Sequence, residues 1–412
     1  MSQQPTGQSL GDAKSTGGVT ALDLAHLRAD TPGVANRIHL NNAGAALMPR
    51  PVLHAIKEHL DLEMAIGGYE AAAQESARLD GVYDSVARLI GAEADEIALV
   101  QNATVGWDMA FYALNFGRGD RILTARAEYA ANYVAYLQVA KRTGACVETI
   151  PNDPDGVLDP AALEAMIDER VKLISITWVP TNGGLVNPAA EVGAIARRHG
   201  VPYLLDACQA VGQMPVDVNE LQCDMLSATG RKFLRGPRGT GFLYVRRSRL
   251  GSLEPPMIDH AAAPWTGPDS YRLRDDARRF ETWESSLALR LGLGAAADYA
   301  MAIGMEAIQE RSFALADDLR AGLREIPGIH VHDLGGTPCA IVTFTLDGVD
   351  GETVKARLRD ARINVNVSNP SSTLLDSLDR NLPPVVRASP HYYNTEDEIA
   401  AAVDVVRELA AG

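Results

Sequence analysis

The chain has 412 residues and a formal net charge of −15 at pH 7, and 46% of its residues are hydrophobic. This length predicts two or three domains with a large core, while the acidic charge and the lack of a basic stripe argue against a nucleic-acid partner. No apolar run reaches the roughly 18 residues of a membrane span. The four cysteines have no CxxC spacing, so we expect no metal site and a reducing, cytoplasmic environment.

The N-terminal half predicts one α/β domain. Residues 1–20 are rich in Ser, Gln, Gly and Thr without the apolar segment of a secretory signal, so we expect a disordered tail there. In residues 41–282, short apolar runs alternate with longer stretches of helical spacing, which indicates a mostly parallel sheet covered by helices. The strand candidates are residues 97–100, 121–124, 173–177, 202–206 and 239–246, and the helix candidates are 105–114, 130–141 and 188–199.

A different pattern follows in residues 283–412. A long helical pattern covers residues 285–326, strand candidates lie at 341–346 and 363–367, and a last helix is predicted at 395–411. We interpret this part, with some of residues 21–40, as a second and smaller α+β domain.

An acid and a lysine suggest the chemistry. Asp206 ends the apolar run Tyr-Leu-Leu, and ligands of open α/β sheets bind at the carboxyl ends of strands. Lys232 lies in an apolar segment beside Arg231, and both low polarity and a neighbouring cation lower the pKa of a lysine. A pyridoxal phosphate (PLP) site needs this pair: the lysine forms a Schiff base and the acid keeps the pyridine nitrogen protonated. A surface lysine and a helix N-cap aspartate remain alternatives.

A phosphate site is suggested by residues 100–106, which leave a strand and begin a helix. Free backbone N–H groups at a helix N-terminus bind anions, and Thr104 adds a hydroxyl. An ordinary N-cap would produce the same pattern.

Three sequence blocks resemble the class V aminotransferase family of fold-type I PLP enzymes, which includes cysteine desulfurases, kynureninase-like enzymes and isopenicillin-epimerase-like proteins. The blocks are Asp-Ala-Cys-Gln-Ala from Asp206, Thr-Gly-Arg-Lys-Phe from Thr229 with the following Gly-Pro-Arg-Gly-Thr-Gly, and residues 386–394. The resemblance extends over residues 41–409. It implies a large domain with a mostly parallel seven-stranded sheet and a smaller α+β C-terminal domain.

The resemblance also implies roles for single residues. Lys232 carries the Schiff base, Asp206 pairs with the pyridinium and Gln209 reaches the phenolic oxygen. Tyr129 stacks on the ring where the desulfurases have His, and Arg387 anchors the substrate carboxylate. The remaining implied contacts are Ala103, Thr104, Thr229 and Arg231 at the phosphate, Thr181 or Asn182 near the cofactor oxygen, Asn42 in the substrate pocket and Thr240 at the phosphate of a partner subunit. A homodimer with the active site at its interface is therefore implied, although several of these residues also suit plain core, turn or surface positions.

The expected reaction depends on whether the chain carries a thiol that can accept sulfur. A desulfurase of this family needs an acceptor cysteine, expected between Asn364 and Arg387, and no cysteine lies there. We therefore expect a carbon–sulfur β-elimination lyase on an S-substituted cysteine and disfavour a classical desulfurase. An aminotransferase, an epimerase and a catalytically silent PLP-fold binding protein are the alternatives.

Overall fold

The computed structural model describes residues 22–412, so the tail expected at residues 1–20 lies outside the described residues. The strands are β1 (Ile38–His39), β2 (Ile97–Val100), β3 (Arg121–Thr124), β4 (Cys146–Thr149), β5 (Val171–Thr177), β6 (Tyr203–Asp206), β7 (Met225–Thr229), β8 (Gly241–Val245), β9 (Trp265–Gly267), β10 (Ser270–Tyr271), β11 (Ile329–Val331), β12 (Val342–Leu346), β13 (Ile363–Asn364), β14 (Asn366–Ser368) and β15 (Val385–Ala388).

The α-helices are α1 (Leu24–Ala29), α2 (Arg50–Ile66), α3 (Gly68–Gln74), α4 (Ser76–Ile90), α5 (Ala103–Phe111), α6 (Ala130–Thr143), α7 (Pro160–Met166), α8 (Ala189–His199), α9 (Val218–Leu221), α10 (Arg247–Leu250), α11 (Leu287–Ile303), α12 (Met305–Arg324), α13 (Gly351–Asp360), α14 (Leu374–Asp379) and α15 (Glu396–Ala410). Short 3₁₀ turns lie at Pro32–Ala35, Ala94–Glu96, Ala277–Phe280 and Pro370–Thr373.

Seven strands form the central sheet in the order β2-β8-β7-β6-β5-β3-β4. The pairs from β7 to β4 are parallel, and β8 runs antiparallel to both of its neighbours. Every residue of β2, β3, β6, β7 and β8 is buried, as expected for a sheet covered on both faces. The expected fold, with its mostly parallel seven-stranded sheet, is confirmed.

Successive side chains of the central strands enter opposite sides of the core. In β6, Leu204 belongs to one apolar cluster and Leu205 to the other. Successive side chains of a β-strand point to opposite faces of the sheet, and here both faces are covered by apolar side chains. Asp206, the last residue of the same strand, is a buried polar residue next to these apolar side chains and is therefore a candidate site residue.

The C-terminal part forms a four-stranded antiparallel sheet in the order β11-β12-β15-β14. The helical pattern predicted over residues 285–326 is two helices, because Gly304 adopts a φ of 98° and the axes of α11 and α12 meet at 81°. The last helix, α15, begins with a capping box between Thr395 and Glu398. The domain boundary at residue 282 stays a prediction, since α11 packs against α2 and α4.

Residues 22–412 contain neither a single membrane-spanning helix nor a metal-binding cluster. No single helix there is long and apolar enough to cross a membrane, and α11 and α12 meet that criterion only as a bent pair. In the same residues no group of three or more His, Cys, Asp or Glu side chains is placed to hold a metal ion.

Candidate active site

Asp206 and Lys232 lie at neighbouring strand ends in the middle of the central sheet. Asp206 is the last residue of β6 and pairs in register with Ser227 of β7, the strand that leads to Lys232. The Asp206 side chain is buried, and its Oδ1 accepts a hydrogen bond of 2.9 Å from the backbone N–H of Cys208. The pKa of Lys232 is lowered, first because burial disfavours the ammonium form and also because Arg231 and Arg387 are close. A lysine in this environment can hold a neutral, nucleophilic amine.

A second buried carboxylate supports the first one. Asn132 Nδ2 donates to Asp206 Oδ2 over 3.0 Å and to Glu128 Oε1 over 2.9 Å. All three side chains are buried. Burial and the nearby charge of Asp206 raise the pKa of Glu128 to about 7. Sequence reasoning missed Glu128 and Asn132, although their i, i+4 spacing places both on one face of the chain entering α6.

Arg387 reaches this region from the smaller sheet. It lies on β15, and its Nη1 donates to the hydroxyl and the carbonyl oxygen of Thr181. Burial lowers its pKa to about 10. None of the ion pairs in residues 22–412 includes Arg387, and its Nε has no hydrogen-bond acceptor. A buried guanidinium without a carboxylate partner is suited to bind the carboxylate of a ligand.

Other buried polar atoms in this part of the structure also lack partners. Gln209 uses Nε2 to bind the Ala43 carbonyl at 3.2 Å, and its Oε1 has no partner. Asn182 uses Nδ2 to bind Thr373 Oγ1 at 3.3 Å, and its Oδ1 has none either. Because buried polar atoms are nearly always paired in folded proteins, these atoms fit a polar ligand between them. Together with Lys232 and Asp206, these amides supply polar groups of the kind that PLP and an amino acid require.

The predicted phosphate residues come from adjacent parts of the sheet. Thr104 is exposed on the first turn of α5, directly after the buried Ala103. A side chain at Gly241 would lie 2.9–3.0 Å from the backbone of residues 102 and 103, so glycine there lets this helix start close to β8. Thr229, which pairs in register with Gly241, accepts a hydrogen bond of 3.0 Å from Arg231. The structure therefore places Thr104, Thr229 and Arg231 near the carboxyl ends of β2 and β7.

Three other predicted residues are differently placed. The Thr240 hydroxyl is buried and donates to the Pro237 carbonyl at 2.7 Å, so its contact with a partner subunit stays a prediction. Asn42 is also buried: Nδ2 donates to the Ser389 and His39 carbonyls, and Oδ1 accepts from the Tyr393 hydroxyl. Tyr129 is 38% exposed at the start of α6 and close enough to influence the pKa of Arg387. Its aromatic ring is thus available to a ligand, whereas the Asn42 amide is already satisfied.

Comparison with known proteins identifies the family. The model of the aminotransferase class-V family matches residues 38–401. The chain belongs to this family. It is 30% identical over 391 residues to a probable cysteine desulfurase of Methanothermobacter thermautotrophicus, a match that covers 93% of this chain and 97% of that protein.

Solved structures agree in fold. An apo cysteine desulfurase from Thermococcus onnurineus NA1 has a TM-score of 0.89 and 28% identity, covering 95% of this chain and 99% of that one. A C-DES mutant with glycine covalently linked to PLP has a TM-score of 0.82 and 23% identity, with coverages of 92% and 99%.

These findings confirm the expected family, fold and enzyme class, with PLP as the cofactor. The expected reaction was wrong. We expected a β-elimination lyase and disfavoured a desulfurase, yet relatives that match almost the whole chain at about 30% identity are named cysteine desulfurases. A missing cysteine between Asn364 and Arg387 excludes one location for an acceptor thiol. It says nothing against cleavage of the carbon–sulfur bond, which depends on the residues around the cofactor.

Proposed function

We propose that this chain is a PLP-dependent cysteine desulfurase, which converts cysteine to alanine and transfers the sulfur atom to a thiol. One observation carries the proposal: the buried guanidinium of Arg387 has no carboxylate partner in residues 22–412, and it lies close enough to Lys232 to help lower the pKa of that amine. This arrangement suits a small α-amino acid whose carboxylate binds Arg387. The names of the relatives identify cysteine as the amino acid to test first.

The chain's residues fit the cofactor. When bound, PLP withdraws electrons from the α carbon of an attached amino acid and so makes its proton acidic. Asp206 would hold the pyridine nitrogen, and Gln209 and Asn182 offer their unpartnered atoms to polar groups of the cofactor or substrate. Thr104, Thr229 and Arg231 supply hydroxyl and cationic groups for the phosphate. Thr181 holds the Arg387 guanidinium in place for the substrate carboxylate.

Proton transfer falls mainly to Lys232. Its lowered pKa increases the fraction of neutral amine that can take the α proton of the substrate. Tyr129 occupies the position where the desulfurases of the family have an imidazole. A phenol is a weaker acid than an imidazolium at neutral pH, so Lys232 also has to return protons to the alanine product.

In this proposal the acceptor thiol comes from outside the chain. The exposed thiol, Cys146, begins β4 and so lies at the opposite end of the parallel strands from Asp206, which ends β6. Cys223 and Cys339 are buried, and burial raises the pKa of both thiols to about 12. Cys208 lies beside Asp206, and burial also raises its pKa strongly. In the proposed reaction an external thiol RSH takes the sulfur of cysteine: the Cβ–Sγ bond breaks, an S–S bond forms, and the products are alanine and the persulfide RSSH.

The test is a direct product assay. Holoenzyme is incubated with cysteine and dithiothreitol, and alanine and sulfide are measured by chromatography and colorimetry. Equal amounts of alanine and sulfide support the proposal. The Lys232→Ala variant should release neither product, while the exposed Lys172→Ala variant serves as the matched control with full activity. Formation of pyruvate and ammonia in place of alanine would overturn the assignment.

We further propose a homodimer, formed through an exposed apolar surface on α2, α3 and the segment before α11. Met64, Tyr69 and Trp283 are 82%, 79% and 57% exposed. Tyr69 and Trp283 line a cavity of about 610 Å³ that also contains Arg278 and Arg290. Large exposed apolar patches with a charged rim are typical of protein–protein interfaces.

Light scattering of purified protein should give twice the mass of the chain. Met64→Glu combined with Tyr69→Glu should shift it toward the monomer, whereas Val134→Glu, at a position that is 65% exposed on α6, should leave the dimer intact. A monomeric wild type would contradict the proposal.

All four cysteines are free thiols, which supports a reducing cytoplasmic location.

A further inference from the structure

Asp206, Asn132 and Glu128 form a buried carboxylate–amide–carboxylate chain beneath the candidate cofactor site. The amide of Asn132 has two hydrogens, and the structure uses both of them: one for Asp206 Oδ2 and one for Glu128 Oε1. The other oxygen of Asp206 accepts from the backbone of Cys208. Asp206 thus has one donor on each oxygen, and both come from groups fixed by the fold.

Glu128 determines which way the Asn132 amide points. Both Glu128 oxygens accept hydrogen bonds from surrounding donors, and Oε1 binds the NH₂ side of the Asn132 amide. Glu128 is itself held by the backbone N–H groups of Tyr129 and Thr177 and by the hydroxyls of Thr124 and Thr177. With this many donors, the carboxylate is fixed in place although it is buried.

Hydrogen bonds to a carboxylate favour its charged form. If Asp206 lost its donor from Asn132, its negative charge would be stabilised by one hydrogen bond fewer. A proton shared between Asp206 and a ring nitrogen would then move toward the carboxylate. The other titratable groups near Asp206 are Glu128, Tyr136, Cys208 and Lys232. Tyr136 donates to Ser175, whereas Asn132 Nδ2 donates to Asp206 Oδ2 over 3.0 Å, and the Cys208 thiol also interacts with this carboxylate.

We propose that Asn132 is a positioning residue for the cofactor: its hydrogen bond stabilises the charge of Asp206 and directs this carboxylate at the pyridine nitrogen, and Glu128 keeps Asn132 in the donating orientation. This inference rests on the proposed function, because it assigns the amide a role in the same PLP site. Asn132 acts through Asp206 and does not itself touch the reacting atoms.

The test follows the protonation of the ring nitrogen directly. Wild type and Asn132→Ala are loaded with PLP labelled with ¹⁵N in the ring, and the ¹⁵N chemical shift is measured by NMR. Wild type should show the shift of a pyridinium, and Asn132→Ala a shift moved toward a neutral pyridine. Exchange of the α proton of alanine in D₂O should slow about ten- to a hundredfold, as expected for loss of a hydrogen bond to a charged group.

Asn394→Ala is the matched control. Asn394 is also a buried amide that donates to a carboxylate, Glu398 Oε2 at 2.8 Å, but it lies at the start of α15 away from Asp206. Its removal should lower stability without moving the ¹⁵N shift. If Asn132→Ala does not fold, Asn132→Leu provides the same measurement, since leucine is close to asparagine in size and shape and has no hydrogen-bond donor.

The outcomes separate the two proposals. A wild-type enzyme that binds no PLP, or exchanges no α proton, refutes the proposed function. A wild-type pyridinium shift that stays unchanged in the folded Asn132 variant, with unchanged exchange, overturns the role of Asn132 and leaves the proposed function standing.

Discussion

Replacing Arg387 by Met should change stability and substrate binding in opposite directions. The pKa of Arg387 falls to about 10, below the ordinary arginine value, because burial disfavours its charge. At about 1.4 kcal/mol per pKa unit, the charged form carries a cost of about 3 kcal/mol in the ligand-free protein. No carboxylate among residues 22–412 offsets this cost. We therefore expect Arg387→Met to raise the free energy of unfolding of the ligand-free chain by about 1–3 kcal/mol.

The same substitution should abolish recognition of the substrate carboxylate. Loss of one partner from a buried charge pair weakens binding by at least about 2 kcal/mol, which is about 30-fold. We expect kcat/KM for cysteine to fall by at least that factor. Alanine should raise the melting temperature of the wild-type holoenzyme and leave that of Arg387→Met unchanged. The assays are urea unfolding, steady-state alanine formation and thermal shift.

Arg320 provides the control for this reasoning. It is as buried as Arg387, but its Nε lies 2.6 Å from Asp333 Oδ2. Arg320→Met leaves that carboxylate unpaired and should lower the free energy of unfolding by about 3–5 kcal/mol. If Arg387→Met destabilises the ligand-free chain as strongly as Arg320→Met does, then Arg387 has a structural partner and the assignment as carboxylate anchor fails.

Three further predictions concern single side chains. Borohydride reduction should attach the cofactor mass to the wild-type chain and not to Lys232→Ala, as measured by intact mass spectrometry; equal attachment in both would exclude Lys232. Burial lowers the pKa of His391 to about 3, below the ordinary 6.5, so its contribution to stability is present above pH 6.5 and is lost as the pH falls toward 3. Urea unfolding of His391→Asn should therefore depend less on pH in this window, and an identical dependence would refute the argument. Maleimide should label the exposed Cys146 at the same rate with and without bound cofactor, and it should label Cys208 faster once the cofactor is removed. Equal labelling rates for Cys208 with and without cofactor would place the cofactor elsewhere.

Local sequence patterns predicted the parts of the fold that depend on neighbouring residues. The strands at Ile97–Val100 and Arg121–Thr124 match the expected limits, because continuous apolar runs are typical of covered parallel strands. Asp206 was predicted at a strand end for the same reason. The break at Gly304 was missed, since the helical pattern continues on both sides of a single glycine.

Contacts between distant segments could not be read from local patterns. Asn132 and Asp206 are 74 residues apart, and nothing in either segment indicates that they bind each other. The contact between Thr181 and Arg387 depends on how the smaller sheet packs on the larger one. The reaction was misjudged for a related reason: a missing cysteine is visible in the sequence, whereas the source of an external thiol is not.

The long separation between Thr181 and Arg387 has a consequence for synthesis of the protein. These residues are 206 positions apart, and the N-terminal Arg28 binds the carbonyl of Tyr393 across 365 positions. A growing chain therefore cannot complete its amino-acid site until β15 has left the ribosome. Contacts of such separation also slow folding, since long loops must close before they form. Truncated or stalled chains that lack the last strand would retain the lysine and its acid without the carboxylate anchor, and so would lack selectivity for amino acids.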